Sequence, residues 1–358
     1  MTEVVHVITG LGTGGAETML VQLARVLQER GISQHVVSLT AHDALAADLR
    51  AAGIGTTILG ANSLSALPAA MRLLVRLVND TRPRIIQGWM YHGNLAGTLC
   101  HYISHGRRDR KLFWNLRASN MDAKRYGRII WWSGALSPWV DVVVANSEVG
   151  AAFHRDHGFR PKRSVVIDNG IETKKFRPDP ASREQIRLQL GISTDAIVAI
   201  HVARVDPMKD NANFIAAMTR VPSVIGVMVG SGTMDLPLPP NVKALGLRRD
   251  PEKLFAAADI VASTSAFGEG FSNVIAEGMS AGLIPVATDV GDARRIVADV
   301  GWIVAPGNPE AFADAILKVA ALSQAERRER GNQARERIVA NFTLAQAADS
   351  FARLYSSA

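Results

Sequence analysis

"VVHVI" (Val4–Ile8) running into "TGLGTGGAE" (Thr9–Glu17) decides how this chain begins to fold. An apolar run of strand length feeds a glycine-rich turn, and the helical pattern "TMLVQLARVLQERG" follows. Strand, glycine turn and helix in that order open a parallel α/β sheet and aim helix N-terminal amides at an anion. Gly10, Gly12 and Gly15 satisfy the spacing G-x-G-x-x-G. A dinucleotide-binding turn also needs an acid about 20 residues on, at the end of the second strand, to hold the ribose. Here that strand, "SQHVVSLTAHD" (Ser33–Asp43), ends at Ser38-Leu39-Thr40, and Asp43 lies past it. The dinucleotide reading loses ground; a sugar nucleotide, or a tight turn that binds nothing, stays open.

The same alternation continues. "QHVVSL", "TTIL", "PRIIQG", "KLFWNL", "DVVVANS" and "SVVIDNG" read as further strands, with helical patterns at 16–30, 64–80, 93–105 and 147–157. The polar stretch "IETKKFRPDPASREQIRLQLGIS" (Ile171–Ser193) breaks the pattern and is the expected domain boundary, dividing the chain into 1–172 and 173–340. After it "AIVAIHVAR", "VIGVMVGSG", "VKALG", "DIVAST", "LIPVATD" and "GWIV" alternate with helices at 210–220, 251–258, 273–281 and 309–320. The fold class expected is therefore α/β, two doubly wound parallel sheets, with ligands at strand C-terminal ends facing a common cleft.

Composition sets bounds on partners. The 358 residues are 47% apolar and 20% charged, enough for two ordinary cores. A net charge of +7 favours anionic partners. Cys100 is the single cysteine, so no internal disulfide forms and a reducing, cytoplasmic setting is expected. No apolar stretch approaches the roughly 18 residues of a membrane span, and the N-terminus reads as a first strand with no signal peptide.

The most informative stretch is "FGEGFSNVIAEGMSAGLIPVATDVGD" (Phe267–Asp292). Ser272 or Asn273 can cap a helix whose first amides face an anion. Glu269 stands just outside that anion site, and Glu277 lies inside the helix; both can accept hydrogen bonds from hydroxyls. A phosphate with hydroxylated groups on both sides is the outline of a sugar nucleotide. A glycosidase pair fits less well, because eight helical residues span about 12 Å and glycosidase carboxyls sit about 5–9.5 Å apart. Upstream, "AIVAIHVAR" delivers Arg204 and "VDPMK" presents Lys209, two cations suited to a diphosphate whose charge grows as it leaves.

Taken in order, "GTGGAE", "VANSE", "VIDNGIETKKFRP", "ARVDPMK" and the Phe267–Asp292 stretch resemble the retaining GT-B glycosyltransferases of family four (glycosyl transferases group 1), with their Glu-x7-Glu motif. The likeness runs from about residue 4 to residue 356. It implies that Glu269 contacts the donor sugar and Glu277 the ribose. Arg204 and Lys209 would hold the diphosphate, Gly270, Phe271, Ser272 and Asn273 would supply amides, and Gly14 and Gly15 would close over the phosphates. The final helix, 341–358, would cross back to the first domain. Transfer would retain configuration, from a nucleoside diphosphate sugar (UDP or GDP undecided) and with no cofactor.

One departure is local. Many family members carry His-x-His where this chain reads "QGWMYHGN" (Gln87–Asn94). Trp89 stands in the place of the second histidine, leaving His92 as the nearest candidate for the active-site histidine or, equally, a helix-start residue. Arg117, in "WNLRASNMD" (Trp114–Asp122), is the candidate for an anionic acceptor. No D-x-D occurs and no His/Cys cluster suggests zinc, so a metal-independent enzyme is expected.

Between 107 and 139, Arg107, Arg108, Arg110, Lys111, Arg117, Lys124, Arg125 and Arg128 interleave with Phe113, Trp114, Tyr126, Trp131, Trp132 and Trp139, opposed early by Asp109 and Asp122. That mixture suits an anionic membrane surface and a lipid-linked or glycan acceptor, single-stranded nucleic acid, or simply buried aromatics under a basic loop. A nucleic-acid binder would leave Glu269 and Glu277 idle, so no nucleic-acid partner is expected. A nucleotide-sugar epimerase on the same fold is the alternative enzyme.

Overall fold

The computed structural model describes residues 2–12, 14–119 and 123–358. The chain divides into two compact units, Met1–Gly170 with Leu344–Ala358, and Ile171–Thr343.

In the first unit β1 (Val4–Ile8), β2 (Gln34–Ser38), β3 (Gly55–Ile58), β4 (Ile85–Trp89), β5 (Lys111–Leu116), β6 (Val142–Ala145) and β7 (Arg163–Val166) form one sheet in the order β3-β2-β1-β4-β5-β6-β7. All pairs are parallel, which is why strands such as β1 and β4 are mostly apolar and buried along their whole length. Ile8 at the end of β1 faces Ser38 on one side and Trp89 on the other, so the glycine turn leaves the sheet where the strand order reverses. The turn leads into the helix Gly15–Glu29.

Helices cover both faces. One face packs Leu20, Leu23 and Leu27 with Phe351, Leu354 and Tyr355 of the final helix, Leu344–Ser356. That helix belongs to the first unit. Phe351 and Tyr355 are fully buried in it, the Tyr355 hydroxyl donates to Gln87 Oε1, and Arg30 pairs with Asp349 at 2.9 Å. The other face packs Val5, Val7, Leu74, Trp114 and Ile130. The helix after β4 starts at Met90 with a left-handed φ of 58°. Close beneath it, a Cβ on Gly93 would strike the Val7 carbonyl and lie 3.2 Å from Ile8 Cα, so only glycine lets this helix lie so near β1.

The second unit repeats the plan. β8 (Ile197–Val202), β9 (Val224–Val229), β10 (Val242–Ala244), β11 (Ile260–Ser263), β12 (Ile284–Thr288) and β13 (Trp302–Val304) run parallel in the order β10-β9-β8-β11-β12-β13, reversing between β8 and β11. All thirteen strands fall on the apolar runs of the sequence.

The helices were less legible. The polar stretch after Ile171 holds the helix Pro180–Gln189, started by Asp179, whose carboxylate accepts from Ser182 N at 3.2 Å and Ser182 Oγ at 2.7 Å. Its composition hides it because Arg187 is a core residue. The guanidinium donates to the carbonyls of Ser193, Thr194, Ala196 and Ala257 and pairs with Asp259 at 2.9 Å. Three further helices, Ala46–Ala51, Ala123–Leu136 and Ala293–Val297, lie where the sequence pattern assigns none.

The final helix is expected to be indispensable to the first unit. Phe351→Ala should lower stability by about 3–5 kcal/mol, read from the urea unfolding midpoint; an unchanged midpoint would contradict this packing.

Candidate functional site

The chemistry-bearing residues of the second unit gather at the C-terminal ends of β8, β11 and β12. After β8 the chain makes a turn closed by Asp206, whose Oδ1 accepts from Met208 N at 2.9 Å. Asp206 Oδ2 takes Arg204 Nε and Nη2 at 3.0 and 2.8 Å, and Arg204 stays largely exposed. The turn ends on Lys209 and on Asp210, which sits at φ 45° and caps the helix Asn211–Thr219. Thr264, just past β11, places its Oγ1 3.0 Å from the carbonyls of both Lys209 and Asp210. A strand end thus fixes the backbone that carries Lys209.

Lys209 is turned toward Glu269. Its Nζ forms an ion pair with Glu269 Oε1, and both side chains are largely buried. Ser265 Oγ donates to the same carboxylate oxygen at 2.7 Å. Burial pushes the Glu269 carboxyl up, but the Lys209 charge, the hydrogen bonds from Lys209 and Ser265, and the more distant Arg204 outweigh it and hold the pKa below the ordinary range. Glu269 is therefore an ionised acceptor at neutral pH.

The loop bearing Glu269 is clamped from behind. Thr288 Oγ1 at the end of β12 donates to the Ser265 carbonyl at 2.6 Å, and Asp292 N donates to the Gly270 carbonyl at 3.0 Å. Gly291, at φ 60°, packs so closely that a Cβ there would lie 2.5 Å from the carbonyl oxygens of Glu269 and Gly270. Gly270 leads to Phe271, whose buried ring packs on Phe342 at 5.3 Å, so its side chain belongs to the core. Ser272 is the N-cap of the helix Asn273–Ser280 and makes no side-chain capping bond. The opening turn of that helix follows Glu269 directly.

Glu277, one turn into the helix, has a different environment. It is half-buried among Lys175, Glu172 and Glu252, and Lys175 pairs with Glu252 at 3.7 Å. Desolvation pushes its carboxyl up to about 8; Lys175 opposes this, while Glu172 and Glu252 add to it. The two glutamates thus carry different charge at neutral pH, although they share one motif.

In the first unit Gly14 is the N-cap of the helix Gly15–Glu29, without a side-chain capping bond. Trp89 is a core residue: its ring is fully buried and Nε1 donates to His6 Nδ1 at 3.1 Å, while His6 Nε2 lies 3.1 Å from Gln34 Oε1. Burial, only partly offset by Gln34, lowers the His6 pKa to about 4, so His6 is neutral. His92 is exposed in the first turn of its helix, and desolvation still lowers its pKa, leaving it neutral at pH 7. Arg117 lies over the Trp89 ring at 4.9 Å and the Phe351 ring at 5.7 Å, and donates from Nη1 to Asn169 Oδ1 at 2.5 Å. Its buried Nε and Nη2 have no hydrogen-bond partner.

The basic and aromatic run of 107–139 divides. Phe113 and Trp114 are core, and Arg110 is buried, donating to the carbonyls of His101 and His105 and to Ser104 Oγ. Asp122 lies outside the described residues. Among the described residues there is no group of three or more His, Cys, Asp or Glu able to hold a metal, and no helix is long and apolar enough to cross a membrane.

Sequence reasoning missed Thr264, Ser265, Thr288 and Gly291, which hold Glu269 and Lys209 in place. Their signal was small hydroxyl and glycine residues at the point where a buried strand leaves the core, in "STSAFGE" and "ATDVGD". The Glu277 environment gives a sign that can be tested. The folded state binds this proton more tightly than the unfolded chain, so stability falls as pH rises from about 4.5 through about 8. Glu277→Gln should therefore gain stability on the natural chain from about pH 5 to about pH 8. A difference in unfolding free energy that stays constant across that window would contradict it.

Two family descriptions cover most of the chain: "Glycosyltransferase Family 4" matches residues 13–175 and "Glycosyl transferases group 1" matches residues 196–321. A D-inositol 3-phosphate glycosyltransferase of Geodermatophilus obscurus is 30% identical over 240 residues, 58% of this chain and 52% of that protein. The match therefore spans about half the length of that relative. Among solved structures, Anabaena HepE in complex with UDP-glucose aligns over the whole of both chains with a TM-score of 0.88 and 23% identity. Sucrose-phosphate synthase from Thermosynechococcus elongatus aligns over 99% of this chain and 98% of its own, with a TM-score of 0.85 and 19% identity. The two parallel sheets are thus those of the GT-B fold, and the chain belongs to the family 4, group 1 glycosyltransferases.

Proposed function

We propose that this chain moves a sugar from a nucleoside diphosphate sugar to a hydroxyl of its acceptor, with retention of configuration. The observation that carries this is the arrangement around Glu269: an ionised carboxylate held by Lys209 and Ser265, three residues before the N-cap Ser272, whose side chain makes no capping bond, with Arg204 on the neighbouring turn. A sugar nucleotide needs those three things together, namely acceptors for hydroxyls, amides for a phosphate and cations for a leaving diphosphate.

In this reading Glu269 orients the donor sugar and Glu277 receives the ribose. The amides of Gly270 to Asn273 and the cations Arg204 and Lys209 take the diphosphate, and Gly14 and Gly15 are assigned to its phosphates. The sugar's bond to phosphate breaks as a bond to the acceptor oxygen forms on the same face, and the acceptor's proton passes to the leaving phosphate. Charge grows on that phosphate, and fixed cations and helix amides stabilise it without a metal. His92 is assigned to the reacting sugar. Arg117 offers two unpartnered donors to an anionic acceptor group. HepE, of the same fold, binds UDP-glucose, which favours a uridine nucleotide. The acceptor proposed is a lipid-linked glycan or polysaccharide precursor, met by a peripheral enzyme at the inner face of the cytoplasmic membrane.

A panel of nucleotide sugars, read by released nucleoside diphosphate, should single out one donor, and excess EDTA should leave that turnover near its untreated value. An isomerised nucleotide sugar with no diphosphate released would contradict the reading. Arg204→Ala should lower kcat about 100-fold or more; a variant that only raises KM would remove Arg204 from the leaving-group site.

A further inference from the structure

Two helices of the first unit that pack against one another turn large apolar side chains to solvent. On Met90–Ile103 these are Leu99, Tyr102 and Ile103, at the spacing of one helix face. On Ala123–Leu136 they are Trp131 and Trp132, 63% and 55% exposed, with exposed Arg128 one turn earlier on the same face. Trp139, 55% exposed, follows in the short turn Ser137–Trp139. The Tyr102 hydroxyl donates to the Trp139 carbonyl at 3.0 Å, which ties the first stripe to the turn that follows the second. The Arg107 guanidinium lies over the Tyr102 ring at 5.7 Å, and Arg108 and Lys111 are exposed beside it, with Asp109 among them and Asp141 near Lys111.

We propose that this three-tryptophan face is a docking surface for a bilayer containing anionic lipid. Indole rings are amphipathic and settle at the level of lipid headgroups, and exposed cations around them meet anionic headgroups. Solvent-facing indoles in this number are otherwise a poor use of a soluble surface. Base stacking is a worse fit. Trp131 and Trp132 meet edge to face at 4.9 Å and 78°, so one ring's edge covers the other's face instead of leaving both flat for bases. The inference gives a place to the lipid-linked acceptor proposed above and rests on that reading for its purpose, though not for its observations.

The test uses the full chain and vesicles of phosphatidylcholine with or without phosphatidylglycerol. The protein should sediment with the anionic vesicles at least tenfold more than with neutral ones, and high salt should release it. Tryptophan fluorescence should shift to the blue and be quenched by brominated lipid. Each exposed cation removed should weaken partitioning by about fivefold, so Arg107→Ser with Arg108→Ser, Lys111→Ser and Arg128→Ser should abolish the anionic preference. Trp131→Ser with Trp132→Ser and Trp139→Ser should lower partitioning tenfold or more and remove the quenching. Calorimetric binding of UDP, unchanged in both variants, confirms that they fold. Equal binding to neutral vesicles, binding to neither, partitioning unaffected by the variants, or release of vesicle-bound protein by a single-stranded oligonucleotide would each overturn the proposal. Transfer to a soluble acceptor without vesicle binding would sink this inference alone, whereas vesicle binding without any transfer would sink the transferase reading alone.

Discussion

The ion pair between Lys209 and Glu269 is the interaction around which the second unit is arranged. A largely buried carboxylate is costly unless its charge is met by a partner and by hydrogen bonds. Here both are supplied by residues 60 positions apart in sequence, brought together because β8 and β11 are neighbours in the sheet. Thr264 fixes the lysine's backbone and Ser265 the glutamate's side chain. Removing either charge would leave the other buried and unmatched, which makes the pair a rigid feature and not a transient surface contact.

The parallel topology explains why the site lies where it does. In each unit the strand order reverses at the centre, so two adjacent loops diverge and leave room above the sheet. In the second unit that room receives the Arg204 turn and the Glu269 loop. In the first it receives the glycine turn after β1 and the start of the helix that carries His92. Elsewhere in the second unit, Arg187, buried on Asp259 and four carbonyls, performs the same kind of charge neutralisation for structure alone. The two pairs differ in position: the Arg187 pair anchors the buried side of a surface helix, and the Lys209 pair stands at the strand ends.

The strands were legible because buried parallel strands are continuous apolar runs, as in "VVHVI" and "DVVVANS". Motif spacing along one loop made the Glu269 to Glu277 segment readable too. What stayed hidden depends on contacts between distant segments. Pro180–Gln189 reads as a polar linker because nothing local says that Arg187 is inside. Trp89 stands where the family resemblance implies a histidine, yet its ring lies in the core and donates to His6. The contrast between the two glutamates was invisible as well. Lys209 meets one, whereas burial, with Glu172 and Glu252 nearby, raises the other, from segments that the sequence does not place together. In 107–139 composition left surface and buried aromatics both open; the sheet and its covering helix bury Phe113, Trp114 and Arg110.

The central claim is that one motif serves two ends of a donor, with Glu269 on the sugar and Glu277 on the ribose. Calorimetry with bare nucleoside diphosphate and with the intact nucleotide sugar tests it directly. Glu277→Ala should weaken binding of both ligands. Glu269→Ala frees the Lys209 ammonium for phosphate and should leave nucleoside diphosphate affinity intact while removing the added affinity that the sugar brings. The reverse pattern, with Glu269→Ala losing the bare nucleoside diphosphate and Glu277→Ala keeping it, would contradict the account.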